Sequence, residues 1–185
     1  MRITVPTLFT ISRIAVVPVV VIAMVKAQWG IAFFFFVFAC LTDLIDGFLA
    51  RLLNARTFLG ACLDPVADKL LLISCFLTLA FIKTPLFSVS QAFVFFVIGK
   101  ELLQLGGALI IYWLRGHLDV HPTLLGKTTT CIQMFFIIWL FACYFFCWVP
   151  IKTYYVMLGI MVLFIGASFI QYARIGLRIL SNKKQ

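Results

Sequence analysis

The run Ile31-Ala32-Phe33-Phe34-Phe35-Phe36-Val37-Phe38-Ala39-Cys40-Leu41-Thr42-Asp43-Leu44-Ile45-Asp46-Gly47-Phe48-Leu49-Ala50-Arg51 carries an unbroken apolar stretch directly into two aspartates and an arginine. A second acidic pair follows in Gly60-Ala61-Cys62-Leu63-Asp64-Pro65-Val66-Ala67-Asp68 and leads back into apolar sequence. A helix crosses a bilayer with about 20 apolar residues, so these are two membrane helices with carboxylates at their facing ends. An ionised carboxylate within a membrane span costs about 2.5–3.5 kcal/mol unless it is paired, solvated or bound to a cation. The chain has only six acidic residues, and four of them are Asp43, Asp46, Asp64 and Asp68. Such a concentration points to a use.

Outward from this stretch the rest of the chain is of the same kind. Of 185 residues, 64% are hydrophobic and 11% charged, against about half and a quarter in ordinary globular domains, which excludes a water-soluble fold. Six spans are predicted, over residues 7–25, 30–54, 64–82, 88–114, 127–148 and 154–180. The predicted fold is therefore all-α integral membrane with six transmembrane helices, and nothing is left over for a soluble domain. Short connections at 26–29 and 83–87 predict antiparallel neighbours. The Phe33–Phe36 run reads as a lipid-facing or packing surface.

The net charge of +9 falls mainly at the ends of apolar segments, which fits anionic lipid headgroups and excludes nucleic acid as the partner. With a cytoplasmic amino terminus, that side collects Arg2, Arg13, Arg51, Arg56, Lys69, Arg115, Lys127, Arg174, Arg178, Lys183 and Lys184, and the other only Lys26, Lys83 and Lys152. This bias places both termini and the carboxylates on the cytoplasmic side. Lys100 remains within the fourth span. The six cysteines sit singly in apolar stretches without a C-x-x-C pair and read as buried, reduced thiols. The start, Met1 to Pro6, reads as neither signal peptide nor transit sequence, so the first span is expected to be retained.

Asp43 and Asp46 are three residues apart, and Asp64 and Asp68 four, so each pair projects from one helix face. Two helices then present four carboxylates to a shared centre. Oxygen ligation without histidine favours Mg²⁺ or Mn²⁺ over zinc. Asp64-Pro65 also reads as a helix N-cap followed by proline at the first helical position. Gly47, Ala50 and Gly60 let a flat base or diphosphate approach the backbone, or else serve helix packing. Arg51 suits bidentate phosphate binding, or snorkels to the interface.

Taken in order, Asp43, Asp46, Gly47, Ala50, Arg51, Gly60, Asp64 and Asp68 match the signature D-x-x-D-G-x-x-A-R-x8-G-x3-D-x3-D at every specified position. The chain therefore resembles the CDP-alcohol phosphotransferase family. The resemblance covers 1–185 as a single membrane domain and implies six helices with an amphipathic amino-terminal segment, in a protein that is often a homodimer. It implies that Asp43, Asp46, Asp64 and Asp68 ligate two metal ions, with Asp68 also the general base. It places Gly47, Ala50, Arg51 and Gly60 around the CDP moiety. The implied reaction transfers a phosphatidyl group from CDP-diacylglycerol to an alcohol and releases CMP.

The segments Pro6 to Ile14 and Leu63 to Lys69 resemble the branch of phosphatidylglycerophosphate synthases and transferase-type cardiolipin synthases. The former typically carry Arg-Glu in the fourth span and a second arginine eight residues after the first, where this chain has Lys100-Glu101 and Ala108. The run Pro122 to Gln133, with Gly106 to Leu109, looks closer to the cardiolipin synthases. Glycerol 3-phosphate is expected as acceptor, with phosphatidylglycerol as the alternative, in a bacterial inner membrane. Lys100, Lys127, Arg115 and Arg174 are the candidates for an anionic acceptor. Lys100 needs a polar surrounding, either a cavity or a pair with Glu101 or an aspartate. His117, Asp119 and His121 read as loop residues at the membrane surface. A transporter would show broken helices or paired halves, and a scaffold has no use for four carboxylates at these spacings.

Overall fold

The computed structural model describes the backbone of residues 5–52, 58–82, 84, 86–115 and 124–181, and within these the side chains outside 5–11, 46–52, 58–65, 108–115 and 175–181. The described backbone forms six helices and no strand: α1 (Val5–Val25), α2 (Trp29–Leu52), α3 (Phe58–Phe81), α4 (Gln91–Arg115), α5 (Leu124–Phe146) and α6 (Ile151–Ser181). Each predicted span has its helix. Among the described residues, two helices, Leu124–Phe146 and Ile151–Arg174, are long and apolar enough to cross a membrane, and Ser12–Val25 and Trp29–Ile45 are shorter apolar stretches.

One boundary differs from expectation. α3 begins at Phe58 and runs through Asp64-Pro65, so Asp64 lies inside the helix and is not its N-cap. Proline lacks only its own amide, so a helix that begins well before it loses one hydrogen bond by continuing through.

The chain divides into two compact units, Met1–Ser90 with Phe136–Val149, and Gln91–Phe135 with Pro150–Gln185. In the first, α1 packs against both α2 and α3. Its buried side chains recur at helical spacing: Val20 and Met24 on α1, Ala32, Phe36 and Ala39 on α2, Leu72, Cys75 and Leu79 on α3. The carboxyl-terminal part of α5 adds aromatic packing. Tyr144 lies with its ring 4.5 Å from that of Trp29, and its hydroxyl donates to the Phe87 carbonyl at 2.9 Å. The Phe33–Phe36 run is divided between packing and the outer surface, since Phe36 is fully buried and Phe34 is 67% exposed.

In the second unit α4 packs against α6, with Phe96 stacked on Phe169. The hydroxyls of Thr129 and Ser168 share a hydrogen bond of 2.7 Å. Met161, Ile165 and Ser168 form the buried face of α6.

Two helices end in the same way. Ala27 and Cys147 have φ of 54° and 53°, and the next amides bond back to the carbonyls of Ala23 and Cys143. These are Schellman closures built without glycine. Among the described cysteines none is disulfide-bonded. Cys75 and Cys143 are buried as expected, but Cys131 and Cys147 are exposed, because each falls on the outer face of α5 or just past its end.

Candidate active site

The three helices of the first unit bring three charged side chains to one place, each as a continuation of a buried apolar stripe. On α2, Asp43 follows Ala39 by one turn. On α3, Asp68 precedes Leu72 by one turn. On α1, Arg13 stands seven residues before Val20, on the same face. Packing the apolar stripes together therefore fixes where the charges meet.

Arg13 Nη2 lies 2.8 Å from Asp43 Oδ1, and its Nη1 lies 2.6 Å from Asp68 Oδ1. One guanidinium thus bridges two carboxylates on different helices, in the forked geometry that suits arginine. The arginine side chain is only 1% exposed, whereas the two aspartates are 30% and 22% exposed. The cation is enclosed and the carboxylates remain reachable. The Thr42 hydroxyl does not join them; it donates to the Ala39 carbonyl of its own helix at 2.8 Å.

Asp46 and Asp64 lie on α2 and α3, three residues after Asp43 and four before Asp68, at spacings that share a helix face with those residues. Their side chains, and those of Ala50 and Arg51, fall outside the described residues, as do the surroundings of Gly47 and Gly60. Among the described residues no group of three or more His, Cys, Asp or Glu gathers. The described half of the set nevertheless fits a divalent cation. Asp43 and Asp68 converge from separate helices on one positive charge, and they offer the oxygen donors that hard cations take.

The acceptor candidates lie in the other unit. Lys100 is fully buried and pairs with Glu101, also fully buried, at 2.6 Å. Of the surroundings expected for it, the structure supplies the pair. Lys127 and Arg174 are exposed. The side chains of Arg115 and Ala108 are outside the described residues, and so are His117, Asp119 and His121 altogether.

Arg13 is the residue that sequence reasoning missed as a site residue, having been counted toward the charge bias and within the Pro6 to Ile14 segment. A signal was available: an arginine within an apolar segment carries the same cost that singled out Lys100. Gln133 was likewise passed over. It is fully buried on α5, and neither atom of its amide finds a partner among the described residues.

The sequence is similar to known proteins. The sequence matches the family described as CDP-alcohol phosphatidyltransferase over residues 3–180. It is 43% identical over 76 residues to the CDP-diacylglycerol–glycerol-3-phosphate 3-phosphatidyltransferase of Wigglesworthia glossinidia brevipalpis, a match covering 40% of this chain and 42% of that protein. A protein of the same name from Rickettsia bellii is 32% identical over 133 residues, 70% of each chain. The CMP-forming cardiolipin synthase of Homo sapiens is 39% identical over 79 residues, 42% of this chain and 26% of that one. The match thus spans less than half of the Wigglesworthia and human proteins. The family match, in contrast, runs nearly end to end and contains the helices that carry Arg13, Asp43 and Asp68, and the chain belongs to the CDP-alcohol phosphatidyltransferase family.

Proposed function

We propose that this protein transfers the phosphatidyl group of CDP-diacylglycerol to the hydroxyl of glycerol 3-phosphate and releases CMP. The observation that carries the reading is the convergence of Asp43 and Asp68 from two helices, at positions the family pattern reserves for its site. The names of the Wigglesworthia and Rickettsia relatives support the donor and the acceptor.

In this reading Asp43, Asp46, Asp64 and Asp68 hold two divalent cations, Mg²⁺ or Mn²⁺, in keeping with the family's general use of such metals. Bound there, the ions supply neutralisation of the diphosphate and stabilisation of the leaving oxygen. Gly47, Ala50 and Gly60 give the nucleotide close approach to the backbone, and Arg51 binds a phosphate. Asp68 accepts the proton of the acceptor hydroxyl as that oxygen attacks the lipid-bearing phosphorus in line, and the phosphorus–oxygen bond to CMP breaks. The 22% exposure of Asp68 leaves it open to an incoming alcohol. Lys100, Lys127, Arg115 and Arg174 attract the anionic acceptor.

The reading includes one domain over 1–185, six membrane spans, a homodimer, and a bacterial inner membrane with the termini and site on the cytoplasmic face. Large apolar side chains exposed along the helices support the spans: Ile22 at 54%, Phe34 at 67%, Phe81 at 66%, Phe95 at 59% and Leu163 at 73%. Water would penalise such a surface and lipid would not.

Phosphatidylglycerol as acceptor, giving cardiolipin, is the second reading. It is favoured by Lys100 and Ala108 standing where two arginines are typical, and by the human relative. CMP release from CDP-diacylglycerol tests both, measured with and without Mg²⁺ against glycerol 3-phosphate, phosphatidylglycerol, inositol phosphate and serine in parallel. Mg²⁺-dependent release with glycerol 3-phosphate alone is expected. Release with phosphatidylglycerol alone establishes the second reading, and no release with any alcohol rejects both, leaving a transporter or scaffold.

A further inference from the structure

The Arg13 guanidinium is bonded to two of the carboxylates proposed to hold metal. We infer that Arg13 is a built-in counter-ion that competes with the divalent cation for Asp43 and Asp68, so that its presence weakens metal binding while protecting the site when metal is scarce. The inference rests on the metal-binding reading above.

Three observations carry it. First, the contacts are direct: Nη2 to Asp43 Oδ1 at 2.8 Å and Nη1 to Asp68 Oδ1 at 2.6 Å. Mg²⁺ takes its oxygens at about 2.1 Å, so an ion on these oxygens sits a few ångströms from the guanidinium carbon and is repelled by it. Second, Arg13 is 1% exposed, so solvent screens this repulsion little. Third, the bridge joins α2 to α3 through α1, the connection that a cation shared by those two helices would otherwise make. Arginine stays charged at any accessible pH, so only movement of its side chain or of the carboxylates relieves the competition.

An outer partner that merely orients ligands strengthens metal binding, and its removal weakens affinity by about 10–100-fold. Competition predicts the opposite sign. If the bridged arrangement leaves about one molecule in ten with released carboxylates, removing Arg13 tightens metal binding about tenfold.

The test titrates Mn²⁺ into the purified full-length protein in detergent, reading free Mn²⁺ by electron paramagnetic resonance, for wild type, Arg13→Gln and Arg13→Lys. Thermal unfolding is followed in EDTA and in excess Mn²⁺. Arg13→Gln is expected to bind Mn²⁺ about tenfold more tightly, to unfold at lower temperature than wild type in EDTA, and to regain that difference with Mn²⁺. Lysine keeps the charge but not the fork, so Arg13→Lys tightens binding by a smaller factor; it decides the matter if the glutamine variant does not fold. Affinity unchanged or weakened in the folded variants overturns the inference while leaving the metal site standing. Absence of Mn²⁺ binding in wild type and variants alike overturns the metal-site reading, and this inference falls with it.

Discussion

Replacing Glu101 by Gln removes the carboxylate that pairs with the enclosed Lys100 side chain. Both side chains are fully buried and 2.6 Å apart, so solvent cannot take over the lost interaction. Breaking a buried pair from one side costs about 3–5 kcal/mol, because the remaining charge stays desolvated. Lys100→Met, which takes the ammonium away from Glu101, is expected to destabilise as well. Removing both charges together eliminates the cause of the penalty, and replacing a buried pair by uncharged residues of similar volume is often close to neutral. The double variant Lys100→Met/Glu101→Gln should therefore be markedly more stable than the sum of the single effects implies, with a coupling of about 3 kcal/mol or more. Equilibrium unfolding of the four proteins in mixed micelles by added SDS measures the cycle. Single effects that add to within about 0.5 kcal/mol would refute the reasoning and return Lys100 to the role of a cation held for a ligand. CMP release by the double variant gives an independent reading: if Lys100 attracts the acceptor, KM for glycerol 3-phosphate rises although stability has recovered.

Other expectations follow from single sites. Asp68→Asn should lower the rate of CMP release by about 10²–10⁴-fold, the usual contribution of a positioned base, while sparing nucleotide binding measured by calorimetry with CDP; substantial residual turnover removes Asp68 from the base role. Ala27→Gly should stabilise the protein by about 1 kcal/mol, since Ala27 holds a left-handed φ of 54° that costs a residue with a Cβ about that much; a lower unfolding midpoint refutes it. Tyr144→Phe should destabilise by about 1–2 kcal/mol, because it removes the donor 2.9 Å from the Phe87 carbonyl in a buried setting, and unchanged unfolding shows that bond to contribute nothing.

The amino-acid sequence by itself determined the elements and the chemistry. The six apolar runs read from the sequence each have a helix among the described residues, because a backbone surrounded by apolar side chains satisfies its own hydrogen bonds. Carboxylate spacing is equally local: three or four residues put two side chains on one helix face whatever the helix packs against. That is why Asp43 with Asp46, and Asp64 with Asp68, could be paired on their helices from the sequence, and the fold brings Asp43 and Asp68 to one guanidinium. Two local readings failed: Asp64-Pro65 is not a helix start, since α3 already begins at Phe58, and Cys131 and Cys147, read as buried, are exposed.

Only the tertiary structure decided which charges meet. Arg13 lies 30 residues before Asp43 and 55 before Asp68, and nothing in the spacing of one helix reports the face of another. Three buried stripes had to pack, Val20 and Met24 on α1 against those of α2 and α3, before the guanidinium could be seen to bridge the two aspartates. The same is true of Lys100, for which the sequence allowed a cavity or several partners, and the fold selected Glu101. Partner choice depends on the relative rotation of packed helices, a sum of many contacts that no single motif contains.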